Sequence, residues 1–274
     1  MKAIPQAICL TIAGSDSAGE AGIQADLQTF NHFETIGLSA ITAATAQNPK
    51  QVLSLNPLSE QALSDQLQAC SQHFQIDCVK TGLIASPQQV KIISNFIKKH
   101  KLKLVIDPLI ATSSGKKILN DVALSYFQKE LLPQATFICP NIPEASTLST
   151  VNITDESTLL TAGRQLKKQY QSNIIIKGGH SLESPGTDYL FTSEQDYKIS
   201  TKAVEIKSSH GTGCRISSAI AAKIAQGANP LDSFLSAKEY VLNCLLSPIV
   251  SKNEQWLMPA RPQWQKQTFN IEEI

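Results

Sequence analysis

The feature that most narrows the folds open to this chain is a junction that recurs along it: a short apolar strand running into a tight turn and then into a helix. The first is the run from Ala7 to Ala13, followed by Gly14-Ser15-Asp16-Ser17-Ala18-Gly19-Glu20-Ala21-Gly22 and the helical segment Ile23 to Phe30. Leu38 to Ala46, nearly all small and apolar, reads as a fully buried strand that delivers Gln47-Asn48-Pro49. Asp77 to Ile84 runs through Gly82 into Ser86-Pro87-Gln88-Gln89, where serine caps, proline takes the first helical position and glutamine the third. Leu102 to Ile106 ends at Asp107-Pro108, Thr136 to Cys139 leads into Pro140-Asn141-Ile142-Pro143-Glu144-Ala145, and Asn173 to Ile176 ends in Lys177-Gly178-Gly179-His180. Strands alternating with helices predict an α/β fold with a mostly parallel central sheet, with ligands beyond the carboxyl ends of the strands.

Other helices are expected over Ser59 to Phe74, from about Asn120, from Thr154-Asp155-Glu156, and after the Asn229 cap, where Phe234, Leu235, Val241 and Leu245 form an apolar stripe. Asp188 to Thr192 and Tyr197 to Val204 have the spacing of a small edge hairpin, and the tail from about residue 251 reads as irregular. No internal break divides residues 1–274, so one domain is expected.

Charge excludes one class of partner. Twenty-four basic against 23 acidic side chains leave a net charge of +1, and the only basic run, Lys98-Lys99-His100-Lys101, reads as a solvated helix end, so no nucleic-acid footprint is expected. Six cysteines without a C-x-x-C pair fit buried free thiols in a reducing cytoplasm. No stretch of about 18 apolar residues predicts a membrane span, and the apolar N-terminal run, short and interrupted by Thr11, reads as a strand rather than a leader.

The chemistry-bearing residues gather at the turns. In His210-Gly211-Thr212-Gly213-Cys214, two glycines precede a small-residue helix, an arrangement that turns unpaired amides and the positive helix end toward an anion. Cys214 in that first turn reads either as a base with a stabilised thiolate or as an inert core thiol. Asp26 reads as a carboxylate turned toward the first glycine loop and its ligand, or as an ordinary helix-start acid, and the Gln47 amide suits an aminopyrimidine edge or pins a loop. Asp107 suits a metal or phosphate-linked role or a turn before proline, and Asn141 with Glu144 suits a Mg²⁺ site or a capping box. Lys177 can neutralise a phosphate. The chain carries neither a G-K-[ST] phosphate loop nor a G-x-G-x-x-G fingerprint.

Taken in order, Ala13-Gly14-Ser15-Asp16 with Ala21 to Asp26, Ile41-Thr42-Ala43 with Thr45 to Asn48, Pro140 to Ala145, Lys177 to His180 and His210 to Cys214 resemble the hydroxymethylpyrimidine kinase / phosphomethylpyrimidine kinase family of thiamine biosynthesis, a ribokinase-like branch. The resemblance, from about residue 7 to residue 246, implies a three-layer ribokinase-like sandwich, usually a homodimer. It also implies ATP- and Mg²⁺-dependent phosphorylation of 4-amino-5-hydroxymethyl-2-methylpyrimidine and then of its monophosphate. It places Gly14, Asp26, Gln47 and Leu83 at the pyrimidine, and Asn141, Lys177 and Asp107 at the nucleotide. Glu144 and Asp107 fall at the metal, Gly211, Thr212 and Gly213 at the anion hole, and Cys214 at the catalytic base. The sequence departs from the family pattern at Glu20, Leu83, Lys116 and Arg215; Glu20 and Leu83 are expected at the substrate pocket and Arg215 near the phosphates. Pyridoxal and pyridoxine kinases are the nearest alternative, and a non-catalytic pyrimidine sensor a further one. Residues 109–119 and 180–186 are the two candidate lids, and the sequence does not choose between them.

Overall fold

The computed structural model describes residues 6–48, 51–110, 118–178, 186–202, 204, 210–250, 252, 256–259 and 261–274. Ten strands form one sheet: β1 (Ile8–Asp16), β2 (Ile36–Asn48), β3 (Gln51–Pro57), β4 (Cys78–Thr81), β5 (Lys103–Ile106), β6 (Phe137–Ile138), β7 (Asn173–Lys177), β8 (Thr187–Phe191), β9 (Asp196–Ser200) and, after the short pair β10 (Ile249–Val250) and β11 (Trp256–Leu257), β12 (Asn270–Glu273). Their spatial order is β12-β9-β8-β7-β6-β5-β4-β1-β2-β3. The six strands from β2 to β7 in space run parallel, and β3, β8, β9 and β12 pair antiparallel at the two ends. This is the ribokinase-like α/β sandwich.

Side-chain alternation along each strand makes two cores. Leu10, Ile12, Leu104, Ile106, Ile174 and Ile176 point to one face, under α2 (Glu60–His73), α3 (Pro87–His100), α4 (Asp121–Tyr126), α5 (Ile142–Ser149) and α6 (Glu156–Tyr170). Cys9, Cys78, Val105, Phe137, Cys139 and Ile175 point to the other, under α1 (Gly22–His32), α7 (Thr212–Ala225) and α8 (Pro230–Leu246). Each fully buried aliphatic or aromatic side chain contributes about 1.5–3 kcal/mol, which makes period-two apolar strands favour this layered arrangement over exposure. The cap signals at Ser86 and Asn229 hold, and Ser59, Asn120 and Asp155 likewise accept a backbone N–H of their helix's first turn.

Two expectations are corrected. β2 is not a fully buried strand: it outruns β1, and its second half, from Ala43, forms a half-exposed arm with β3, whose Val52 and Leu53 are exposed. The sequence of that half is apolar because its alanines are small, not because a second layer covers them. The tail is not wholly irregular either, since β12 pairs with β9 outside the expected β8–β9 hairpin.

Buried thiols give the fold an alkaline limit. Burial pushes Cys9 up to about 12 and Cys244 up to about 11, against about 8.5 for a free cysteine. Above that unfolded value the denatured chain sheds protons that the folded one keeps, so this stability is whole at pH 8 and declines as pH rises toward 11. Urea midpoints are expected to fall steadily from pH 8.5 to 10.5, less steeply in Cys9→Ala; a midpoint that holds to pH 10.5 contradicts the account.

Candidate active site

The chain leaves β1 toward β2 on one side and later returns to β4 on the other, so a crevice opens beyond the carboxyl ends of β1 and β4. The sequence-selected residues converge there. At the end of β1, Gly14 faces Leu83: a Cβ added to Gly14 would lie 3.5 Å from the Leu83 side chain and 3.6 Å from the Ala43 carbonyl oxygen. Leu83 is held in turn by its own carbonyl, which accepts from Thr42 Oγ1 at 2.6 Å. Asp16 organises the loop that follows, accepting from the N–H groups of Ala18 and Ala21 at 2.8 Å each. Burial opposes its charge, yet His210, the Gln47 amide and those N–H groups together hold its carboxyl well below the usual range. The Gln47 amide therefore stands beside Asp16 at the end of β2, and its backbone is pinned by Ser17 Oγ at 2.8 Å.

The opposite wall is made by α7. Gly211 caps it at φ +81°, and a Cβ there would stand 2.1 Å from the Glu20 carbonyl oxygen, so backbone freedom and close approach both demand glycine. A Cβ on Gly213 would lie 3.3 Å from Lys177 Nζ and 3.4 Å from Asp107 Oδ2. Lys177 at the end of β7 and Asp107 after β5 are themselves paired at 2.8 Å, and the field of Asp107 outweighs burial to keep the ammonium charged. Asn141 and Glu144 do form a capping box, each backbone N–H bonded to the other's side chain at 2.9 Å. Burial raises the Glu144 carboxyl to about 7, with Lys177 opposing that rise and Asp107 adding to it. A helix N-terminus, an ammonium and two carboxylates thus share one end of the sheet.

Cys214 lies between the two halves. It follows Gly213 on the Asp107–Lys177 side, and the Gly22 N–H at the start of α1 points at its sulfur. The lowered thiol expected from the helix start is corrected: burial pushes Cys214 up to about 11, with Lys80 opposing and Asp26 and Asp107 reinforcing the rise. The helix end is a partial charge, whereas dehydration acts on the whole thiolate.

Asp26 belongs to a buried polar cluster. It is fully buried and faces inward, accepting from Thr11 Oγ1 and Ser218 Oγ at 2.6 Å each and pairing with Lys80 at 2.8 Å. Asp26 sits one turn into α1, where β1, β4 and α7 supply its partners and its charge acts on the Cys214 thiol. Lys80 is the residue that the sequence reading missed; a lysine inside an apolar strand, Cys78-Val79-Lys80-Thr81, was the available signal. Glu20, in the field of His210 and Asp16, and Arg215 both reach Met258. Lys116 and residues 180–185 lie outside the described residues, as do 111–117 of the other expected lid.

With this geometry in view, comparison with known proteins is decisive. The family model described as phosphomethylpyrimidine kinase matches residues 16–256. The chain belongs to the phosphomethylpyrimidine kinase family. Within it, the chain is 37% identical over 246 residues to the hydroxymethylpyrimidine/phosphomethylpyrimidine kinase of Haemophilus influenzae, covering 88% of this chain and 91% of that one. It is 36% identical over 238 residues to the thiamine biosynthesis bifunctional protein ThiED of Geobacter sulfurreducens, covering 86% of this chain and only about half (49%) of that longer protein. Among solved structures it resembles pyridoxal kinase from Staphylococcus aureus in complex with AMP-PCP and pyridoxal, with a TM-score of 0.88 at 25% identity over 98% of this chain and 100% of that one. The relatives named in this family are kinases, which makes the chain a phosphotransferase.

Proposed function

We propose that this protein transfers the terminal phosphoryl group of ATP to the hydroxymethyl oxygen of 4-amino-5-hydroxymethyl-2-methylpyrimidine, and then a second one to the resulting monophosphate, in thiamine biosynthesis. The observation that carries this is the seating of Gly213 against the Asp107–Lys177 pair, with Cys214 next in the chain and facing the loop at the end of β1.

In this reading the Gly211–Gly213 amides and Lys177 take the phosphate oxygens, and the ring lies against Gly14 and Leu83. The Gln47 amide, already donating to Asp16, offers its oxygen to the exocyclic amino group. Cys214 accepts the hydroxyl proton as the new O–P bond forms and the bond to the ADP oxygen breaks. Such transfer asks for positioning and charge compensation more than for covalent chemistry, which suits this set of groups.

The donors also fit Mg²⁺. Glu144 is a buried carboxyl whose raised value calls for another cation beside it, Asp107 offers a second hard oxygen ligand, and no cluster of three or more His, Cys, Asp or Glu exists among the described residues to form a closed protein cage. Held by those two carboxylates together with phosphate oxygens, Mg²⁺ would supply charge neutralisation on the transferring group.

Pyridoxal phosphorylation is the second reading, favoured by the close superposition on pyridoxal kinase through the C-terminal segment. A pyrimidine sensor without catalysis has no use for Lys177, Asp107 and the α7 amides. ADP release from MgATP with the pyrimidine alcohol or with pyridoxal separates the three. The expected result is turnover with the pyrimidine at least about tenfold above pyridoxal in kcat/KM; the reverse ratio gives the second reading, and no turnover with either removes the enzyme. A cytoplasmic homodimer joined through the β2–β3 arm accompanies this reading, supported by exposed Val52 and Leu53 and by cysteines that are all free.

A further inference from the structure

Behind the α7 cap, a peptide from the far end of the chain is gripped on both edges. Arg215 Nη2 donates to the Met258 carbonyl oxygen at 3.3 Å, while the Met258 N–H points at the Glu20 carboxylate. Neither side chain is at the surface: Arg215 is 1% exposed and Glu20 4%. Arg215 is locked further by Tyr240 Oη at 3.1 Å and Gln28 Oε1 at 3.0 Å, which tie α7 to α8 and α1. Glu20 and Met258 also meet the glycine turn, and the Arg215 N–H donates to the Gly211 carbonyl oxygen at 3.1 Å. A Cβ on Gly211 would touch the Glu20 carbonyl oxygen at 2.1 Å and the Met258 methyl carbon at 3.3 Å. One Glu20 carboxylate oxygen and Arg215 Nε are buried without a hydrogen-bond partner. Enclosing two opposite charges, each incompletely satisfied, costs stability. What the arrangement provides in return is a fixed position for the peptide between them.

The family match ends at residue 256, so Met258 lies just beyond the shared segment. We propose that the Met258 peptide is a working part of the phosphate loop, and that Glu20 and Arg215, clasping its two edges, are positioning residues that hold Gly211–Gly213 in their anion-binding turn. The clasp rests on the kinase reading for its activity readout, but not for its structural ones.

Full-length Glu20→Ala, Arg215→Met and the double variant test it by hydrogen exchange of the 211–214 amides, by AMP-PCP affinity in Mg²⁺, and by steady-state kinetics. Each single variant is expected to speed exchange at those amides about tenfold, weaken AMP-PCP about tenfold and lower kcat about tenfold, with KM for the alcohol within twofold. The double variant is expected to be no worse than the worse single one, because the two grip one peptide. Arg215→Lys, keeping one donor, is expected to recover a large part of each loss.

A lower melting temperature with unchanged exchange and AMP-PCP affinity overturns the proposal, as does additive damage in the double variant. Should Arg215→Met fail to fold, the isosteric Glu20→Gln decides: exchange at 211–214 about threefold faster supports the clasp, and unchanged exchange overturns it. If the wild-type protein turns over neither alcohol, the kinase reading falls while amide exchange still judges the clasp.

Discussion

Cys214→Ala is expected to lower kcat by about ten- to ten-thousand-fold while leaving the circular dichroism and melting curve close to wild type. The substitution removes one sulfur from a partly exposed position and leaves the Gly211–Gly213 amides in place, so binding of MgATP is expected to change little. The pH profile is the sharper part of this expectation. A thiol raised to about 11 is almost wholly protonated at neutrality, and its thiolate fraction grows about tenfold per pH unit up to that value. Wild-type kcat is therefore expected to climb steeply between pH 6.5 and 9, whereas the residual rate of Cys214→Ala stays nearly flat. Parallel profiles in the two proteins, or full turnover in the variant, would remove Cys214 as the base.

Lys80→Met is expected to cost about 3–5 kcal/mol in urea unfolding, the largest single loss of stability from any polar substitution near the site. Both partners of the Lys80–Asp26 pair are fully buried, and deleting the cation leaves a carboxylate enclosed with the Thr11 and Ser218 hydroxyls as its donors among the described residues. The pair itself is worth far less than this, because desolvating two ions offsets most of their attraction. Adding Asp26→Asn to Lys80→Met removes the stranded charge while keeping an acceptor for both hydroxyls, and is expected to restore about half of the loss or more. A double variant as unstable as Lys80→Met alone would mean that shape, not charge, governs this position. Lys80 also opposes the rise of the Cys214 thiol, so the same variant is expected to shift the alkaline limb of kcat to still higher pH.

Local signals in the chain were enough for most elements because they act over one turn or one strand. Ser86-Pro87-Gln88-Gln89 and Asn141-Ile142-Pro143-Glu144 satisfy their helix's first amides with neighbours three residues away, so the observed caps match the sequence reading. Alternating apolar strands likewise declare a two-faced sheet. The long β2 misled for the opposite reason: small side chains carry no information on whether a second layer covers them, and only its pairing with β3 beyond the end of β1 exposes the arm.

The candidate site divides in the same way. Residue order alone determined the glycine turn at Gly211–Gly213, the lysine ending β7, the acid after β5 and a thiol in the first turn of α7, because each is a matter of backbone conformation and residue type at an element's end. Tertiary structure alone decided that Asp26 pairs with Lys80, that the Cys214 thiol is raised rather than lowered, and that Glu20 and Arg215 reach Met258, which is 43 residues on from Arg215. Solvent exclusion and long-range charge depend on what packs against a residue from elsewhere in the chain. No spacing within one segment encodes that.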